Sequence, residues 1–320
     1  MKNQINKLLA VLLLVASLIG IVASPAEAAD PIKIGILQPM DHPSLNDTYK
    51  GIVDGLADKG YTDGKEIKIS YMNAGGTNSN MQSMAEKLAR ENDYVFAIAT
   101  PAVQALANVT TEVPIYFAAV ADPLGAGVVD SIESTGRNVT GVSNLGPIED
   151  QINLMLNTID GIKKVGLIYN SGEVNAQYQI DIATGILKDK GLETEIQTIT
   201  STNDINSALS SLLPKVDVLL LVTDNTVASA MKLVGDMAKE QGLATFGGSN
   251  EMAEENGLAT YGLDYYGHGK QTADMVVRAI EEGEKPQDQP VEYTKEYELV
   301  VNEEYAKALG MDPASIKAPK

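Results

Sequence analysis

Three stretches repeat one message: Ala97-Ile98-Ala99-Thr100-Pro101, Ala118-Ala119-Val120-Ala121-Asp122-Pro123 and Leu219-Leu220-Leu221-Val222-Thr223-Asp224-Asn225. Each begins as a continuous apolar run, the pattern of a buried parallel strand, and breaks into a polar residue suited to the N-cap of a helix. Pro101 and Pro123 suit the first helical position, where no N–H is needed. Helix starts leave free backbone N–H groups that attract polar or anionic ligands. In open α/β sheets, ligands bind at the carboxyl ends of the strands. The junctions therefore mark a small-molecule site.

The same alternation extends in both directions. Ile32–Leu37 reads as a buried strand, and 44–59 as a helix with Leu45, Tyr49, Ile52, Val53 and Leu56 on one face. Ser44 and Asp47 have the spacing of a capping box. Ile67–Tyr71 is a strand, and Met81, Met84, Ala85 and Leu88 mark a second helix. Tyr94–Ala99, Ile115–Val120 and Val139–Val142 complete a first block of strands. A second block restarts at Val165–Tyr169, with helices over 175–190, 205–213, 226–241 and 266–282. Its further strands are Glu193–Ile199, Val216–Val222, Ala244–Phe246 and Ala259–Gly262.

Two successive blocks of similar size predict an α/β protein of two doubly wound parallel-sheet lobes. The tail still holds a strand-like stretch, Val291–Asn302, and a helix with Tyr305, Ala308 and Leu309. A chain with elements left over crosses back between lobes, and such crossings form a hinge beside a cleft. The expected division is 29–144 plus about 263–290 for the first lobe. The second takes 145–262 plus about 291–320.

Residues 1–28 have the plan of a secretory signal: Lys2 and Lys7, an apolar run from Leu8 to Val22, and Ala26-Glu27-Ala28 as a cleavage site. Cys is absent, so stability rests on the core and no thiol near the cleavage site can carry a lipid. The expectation is a periplasmic protein, cleaved near Ala28, without stable membrane insertion. The formal charge of −19 argues against nucleic acid and anionic membrane surfaces as partners.

Catalytic signatures are wanting. His42 and His268 lack the spacing of a metal pair. Gly141-Val142-Ser143-Asn144-Leu145-Gly146 misses the nucleophile-elbow pattern by one residue. Gly125-Ala126-Gly127-Val128-Val129-Asp130 ends a dinucleotide-like start with the wrong residue. No enzyme activity, metal or cofactor is expected.

The ordered set of motifs resembles a known family, the extracytoplasmic solute-binding components of ABC transporters, in the tryptophan/tyrosine-type branch. The matching segments are His42-Pro43-Ser44-Leu45, Tyr71-x-Asn73-Ala74, Thr100-Pro101-Ala102-x-Gln104-Ala105 and Ala121-Asp122-Pro123. Thr140–Asn144, Ile168-Tyr169-Asn170-x-x-Glu173-x-Asn175, Thr223–Asn225, Asp264-Tyr265 and Val300–Asn302 complete the set. The resemblance implies a type I periplasmic-binding-protein fold with ligand between the lobes. It also implies a membrane permease as partner and an apolar or aromatic amino acid as ligand. Two departures stand out: relatives often carry a lipoprotein Cys, and Asp where this chain has Asn144.

An amino acid needs donors for its carboxylate and acceptors for its ammonium. Ser44 and Thr100, at helix starts, are candidate donors in addition to capping their own helices. Asp122, Asp224 and Glu173 are candidate acceptors, since a buried carboxylate is costly unless paired. Asp122 reads first as a cap because Pro123 comes next, while Asp224 is freer because Thr223 or Asn225 can cap instead. Gln104, Asn170, Asn175 and Asn225 offer amides after strand ends, and Tyr265 or Tyr266 offers a ring. The matched segments add Pro43, Asn144, Thr223 and Asp264. Two rival readings are a ligand sensor feeding a membrane receptor and an exported hydrolase using Asp122 and Asp224.

Overall fold

The computed structural model describes residues 30–294 and 296–319, so the expected export signal lies outside the described residues. The first sheet holds β1 (Ile32–Gln38), β2 (Ile67–Asn73), β3 (Tyr94–Ile98), β4 (Ile115–Ala118), β5 (Val139–Ser143) and, from the far end of the chain, β11 (Glu292–Tyr293). Its order is β11-β5-β4-β3-β1-β2, and every pairing is parallel. The second holds β6 (Lys164–Asn170), β7 (Glu193–Ile199), β8 (Val218–Leu221), β9 (Thr245–Gly247), β10 (Ala259–Gly262) and β12 (Glu298–Val301). Its order is β12-β10-β9-β8-β6-β7, parallel except for the antiparallel edge strand β12. Both sheets thus start second-first-third-fourth-fifth, the doubly wound order whose switch point lies beside the first strand.

Helices cover both faces of each sheet. In the first lobe α1 (Pro43–Asp58) and α10 (Tyr265–Glu282) lie over one face, and α2 (Asn78–Glu91) and α3 (Thr100–Val109) over the other. The second lobe has α4 (Ile148–Thr158), α5 (Val174–Asp189) and α11 (Glu303–Ala308) on one side. Its other side carries α6 (Ile205–Leu212), α7 (Asn225–Ala228) and α8 (Met231–Glu240), with Met252 of α9 (Asn250–Asn256) in the same core. Four apolar clusters fill these layers, built on residues such as Ile34 and Phe96, Val95 and Phe117, Leu167 and Phe246, and Leu219 and Leu209.

Glycine permits a close helix crossing in the first lobe. A Cβ on Gly51 of α1 would stand 2.0 Å from the Tyr266 carbonyl oxygen, and one on Gly269 of α10 would stand 2.2 Å from that of Thr48. Only glycine lets the two backbones approach so far. The contact packs the first turn of α10 against the middle of α1.

The chain passes between lobes after β5, after β10 and between β11 and β12. The tail read as one strand-like stretch is therefore divided. Glu292–Tyr293 extends the first sheet beside β5, and the last passage falls after Tyr293, slightly beyond the expected 290. The helix expected over 226–241 is also divided, because the chain turns at Ser229-Ala230. Helix α4 was not anticipated, although Ile148, Ile152 and Met155 recur with helical spacing and are buried. Among the described residues, no helix is long and apolar enough to cross a membrane.

Candidate functional site

The carboxyl ends of both sheets face one cleft. The first lobe contributes His42 and Ser44 after β1, Ala119 and Ala121 after β4, Asn144 after β5 and Tyr265 at the start of α10. The second contributes Asn175, the run Thr223-Asp224-Asn225 after β8, and Ser249 after β9. The cavity is about 10 Å³, the room of a single water-sized body. A second of about 10 Å³ adjoins it and shares Asn144, Thr223, Ser249 and Tyr265. Both are small because side chains meet across the cleft: Ser44 Oγ lies 2.8 Å from Ser249 Oγ and donates to Glu251 Oε2 at 2.9 Å. A solute of amino-acid size is seated only by parting these contacts. A larger open groove, about 660 Å³, lies at the opposite, amino ends of β4 and β5.

The second-lobe wall is built around two buried carboxylates. Glu173 accepts from the backbone N–H and side-chain amide of Asn225, and from the N–H and hydroxyl of Thr226, at 2.6–3.0 Å. Asp224 caps α7 through Val227 N at 2.8 Å and accepts from Asn170 N at 2.6 Å. Burial, and then the neighbouring Glu173, push the Asp224 carboxyl well above its ordinary range. Among the described residues, no Lys or Arg forms an ion pair with either carboxylate.

The cleft is also rich in unpaired acceptors. His42 Nε2 lies 3.2 Å from Asn225 Oδ1, and the Asn225 amide nitrogen already donates to Glu173. His42 Nε2 is therefore the donor and Nδ1 a bare acceptor without a partner. Burial lowers the His42 pKa to about 4, so the ring is neutral. Asn175 donates its amide to the Thr223 carbonyl at 3.2 Å, which leaves Oδ1 unpartnered. Asn144 donates to the Tyr265 hydroxyl at 2.7 Å, and its Oδ1 is unpartnered as well. Buried polar atoms are seldom left this way.

Of the residues singled out in the sequence, Ser44, Asn144, Asn175, Thr223, Asp224, Asn225 and Tyr265 converge on the cleft. Glu173 stands behind it, and Asn170 supports Asp224 through its backbone and Thr226 through its amide. The others serve elsewhere. Pro43 is exposed at the first position of α1. Gln104 donates to the Ala126 carbonyl at 3.0 Å. Asp122 accepts from Gly125 N in a turn, not at a helix start, and does not join Asp224 at the cleft. Asp264 caps α10 through Tyr266 N and Gly267 N. Tyr266 turns away and donates to Asp54.

Both hydroxyls expected to cap their own helices do something else. Helix α1 begins one residue early, with His42 at its cap, so Ser44 points across the cleft. At α3 the cap position falls on Ala99, whose φ is 70°, and the buried Thr100 hydroxyl has no partner and does not line the cleft. Ala119, Ala121 and Ser249 escaped the sequence reading, and His42, part of a matched segment there but not a chosen site residue, lines the cleft as well. Ser249 had the same signal as the others, a capping residue straight after a strand; nothing local marked the alanines.

A family model for ABC transporter substrate binding proteins matches residues 33–314. The chain belongs to this family. The substrate-binding protein is 37% identical over 283 residues to a tyrosine-binding protein of Clostridioides difficile (strain R20291), covering 88% of this chain and 82% of that one. Its fold matches the ABC domain from Streptococcus pneumonia in complex with L-Trp, with a TM-score of 0.86, 36% identity, and 90% and 98% of the two chains covered. It matches the ligand-free, open structure of a Clostridium difficile substrate-binding protein with adhesive properties at a TM-score of 0.69, also at 36% identity, over 88% and 95% of the chains. At equal identity the overall match is better to the L-Trp complex than to the open structure, in keeping with the direct contacts across the cleft.

Proposed function

We propose that this substrate-binding protein carries an aromatic amino acid outside the cytoplasmic membrane and hands it, chemically unaltered, to the permease of an ABC importer. The observation that carries the reading is the demand for donors in the cleft. His42 Nδ1, Asn144 Oδ1 and Asn175 Oδ1 all lack partners, and Asp224 lies buried in the second-lobe wall without a cation. An α-ammonium brings three N–H donors and one positive charge, which meets that demand. The hydroxyls of Ser44 and Ser249 supply donors for a carboxylate. Leu45, Ala119, Ala121, Ala228 and Met252 supply apolar surface beside the Tyr265 ring for an aromatic side chain.

Two relatives at 36–37% identity, one named for tyrosine binding and one solved with L-Trp, support this ligand class. Binding favours closure only as far as the ligand contacts both lobes better than one. The residues reached from both sides, Ser44 and Ser249 above all, provide that difference.

Calorimetric titration with L-tryptophan, L-tyrosine and L-phenylalanine tests the proposal. At least one should bind and raise the melting temperature in proportion to ligand excess, and mass spectrometry should return it unchanged. The analogue lacking only the ammonium should bind about 100-fold more weakly. Equal binding of that analogue would sink the ammonium assignment.

A further inference from the structure

His268 is buried and does not itself line the cleft cavity. It sits one turn into α10, its ring centroid 6.0 Å from that of Tyr265. Its Nε2 lies 2.9 Å from the backbone nitrogen of Ala119, and its Nδ1 lies 2.8 Å from Thr294 Oγ1. The Ala119 nitrogen can only donate, so Nε2 is the bare nitrogen and Nδ1 carries the proton toward Thr294. Burial, lowering the pKa to about 4, keeps the ring in this neutral form.

Both partners are placed where they matter. Ala119 lines the cleft and holds φ at 60°, a left-handed conformation that an alanine avoids unless its surroundings impose it. Thr294 comes directly after β11 and opens the last passage from the first lobe to the second. The neighbouring passages meet the same turn of helix. Asn144, just after β5, bonds to the Tyr265 hydroxyl, and the passage after β10 runs directly into α10. One imidazole therefore joins a strained wall of the cleft to a segment that must bend when the lobes move.

We propose that His268 is a positioning residue that couples the passage at Thr294 to the cleft wall at Ala119, so that the wall takes its binding shape only when that passage is set for closure. The inference rests on reading the cleft as the ligand site. The residue acts through Ala119 and does not meet the ligand.

The test combines three variants with two readouts: L-tryptophan and L-tyrosine affinity by calorimetry, and exchange of the Ala119 amide proton by NMR in the protein without added ligand. Thr294→Val, remote from the cavity, should speed exchange at Ala119 and weaken binding about threefold. His268→Ala should weaken binding about tenfold or more, mainly through faster release. His268→Gln, which keeps an acceptor for Ala119 and a donor for Thr294, should restore most of both properties. A His268 that merely fills space would leave Ala119 exchange indifferent to Thr294→Val and would gain nothing from Gln over Ala; either result overturns the coupling. If neither amino acid binds the wild-type protein, the ligand assignment fails, while the exchange measurements still decide the coupling.

Discussion

The two walls of the cleft are built by different means. The second-lobe wall is electrostatic: Asp224 and Glu173 are both buried, and each is held by backbone N–H groups or amides of its own lobe. The first-lobe wall is a matter of shape. Ala119, with its left-handed backbone, and Ala121 give it small surfaces, the Tyr265 ring gives it a platform, and its polar groups are neutral. The contrast teaches that the second lobe supplies the buried carboxyl groups, while the first adds neutral polar groups, His42 Nδ1, Asn144 Oδ1 and Ser44 Oγ, and much of the shape around a side chain. A fixed dipole or charge needs a rigid support, whereas a fit to an apolar group needs only packed surfaces.

Substitutions can break this contrast in turn. The largest effect belongs to Asp224→Asn, which keeps an acceptor for the cap of α7 but removes the carboxyl that an ammonium would ionise and turns an amide NH2 toward the Asn170 N–H. Amino-acid affinity should drop about 100-fold, or roughly 3 kcal/mol, by calorimetry. The unliganded protein should keep its fold, because the buried carboxylate is itself costly there.

The next effect is one of pH and tests the seam between the walls. Burial raises the Glu251 pKa from 4.5 to about 7. The folded state then holds the proton more tightly than the unfolded chain, so stability is lost as pH climbs from about 4.5 to about 7, by about 3 kcal/mol. Asp224, shifted in the same direction, adds to the loss. Urea unfolding at both ends of that window should show the decline, and Glu251→Gln should remove the Glu251 share of it while leaving that of Asp224.

Smaller effects sharpen the first-lobe side. Ser44→Ala removes a hydroxyl that bridges to Ser249 and Glu251. Affinity should fall about tenfold, in line with one hydrogen bond of about 1 kcal/mol or slightly more. Ala119→Gly relieves the left-handed strain, so the melting temperature should rise, by the equivalent of up to about 1 kcal/mol. A fall instead would mean that the alanine methyl contributes more to packing than its backbone costs.

Legibility tracked the range of the interaction. Asp224 was singled out because a buried strand ends in an acid before the next helix, but the expectation that Thr223 or Asn225 would do the capping is corrected: Asp224 is itself the cap of α7. Ser44 was identified as a site residue, but its capping role was not realised: a shift of one residue in the helix start turned its hydroxyl toward the other lobe. Thr100 obeyed the same local rule, yet it does not cap its helix or line the cavity, because β3 leaves its sheet through a left-handed Ala99. Asp122 had the right position after β4 but the chain turns there without starting a helix, and the carboxylate serves Gly125.

The sequence by itself determined the two doubly wound lobes, since alternating buried strands and amphipathic helices leave few other ways to hide apolar surface. It also determined which strand ends carry polar groups. Tertiary structure alone decided which of those groups face each other. His42 meets Asn225 across 183 positions of chain, and Ser44 meets Glu251 across 207. Such partners have no local signature, because their approach depends on how two separately packed lobes come together and not on the propensities of either segment.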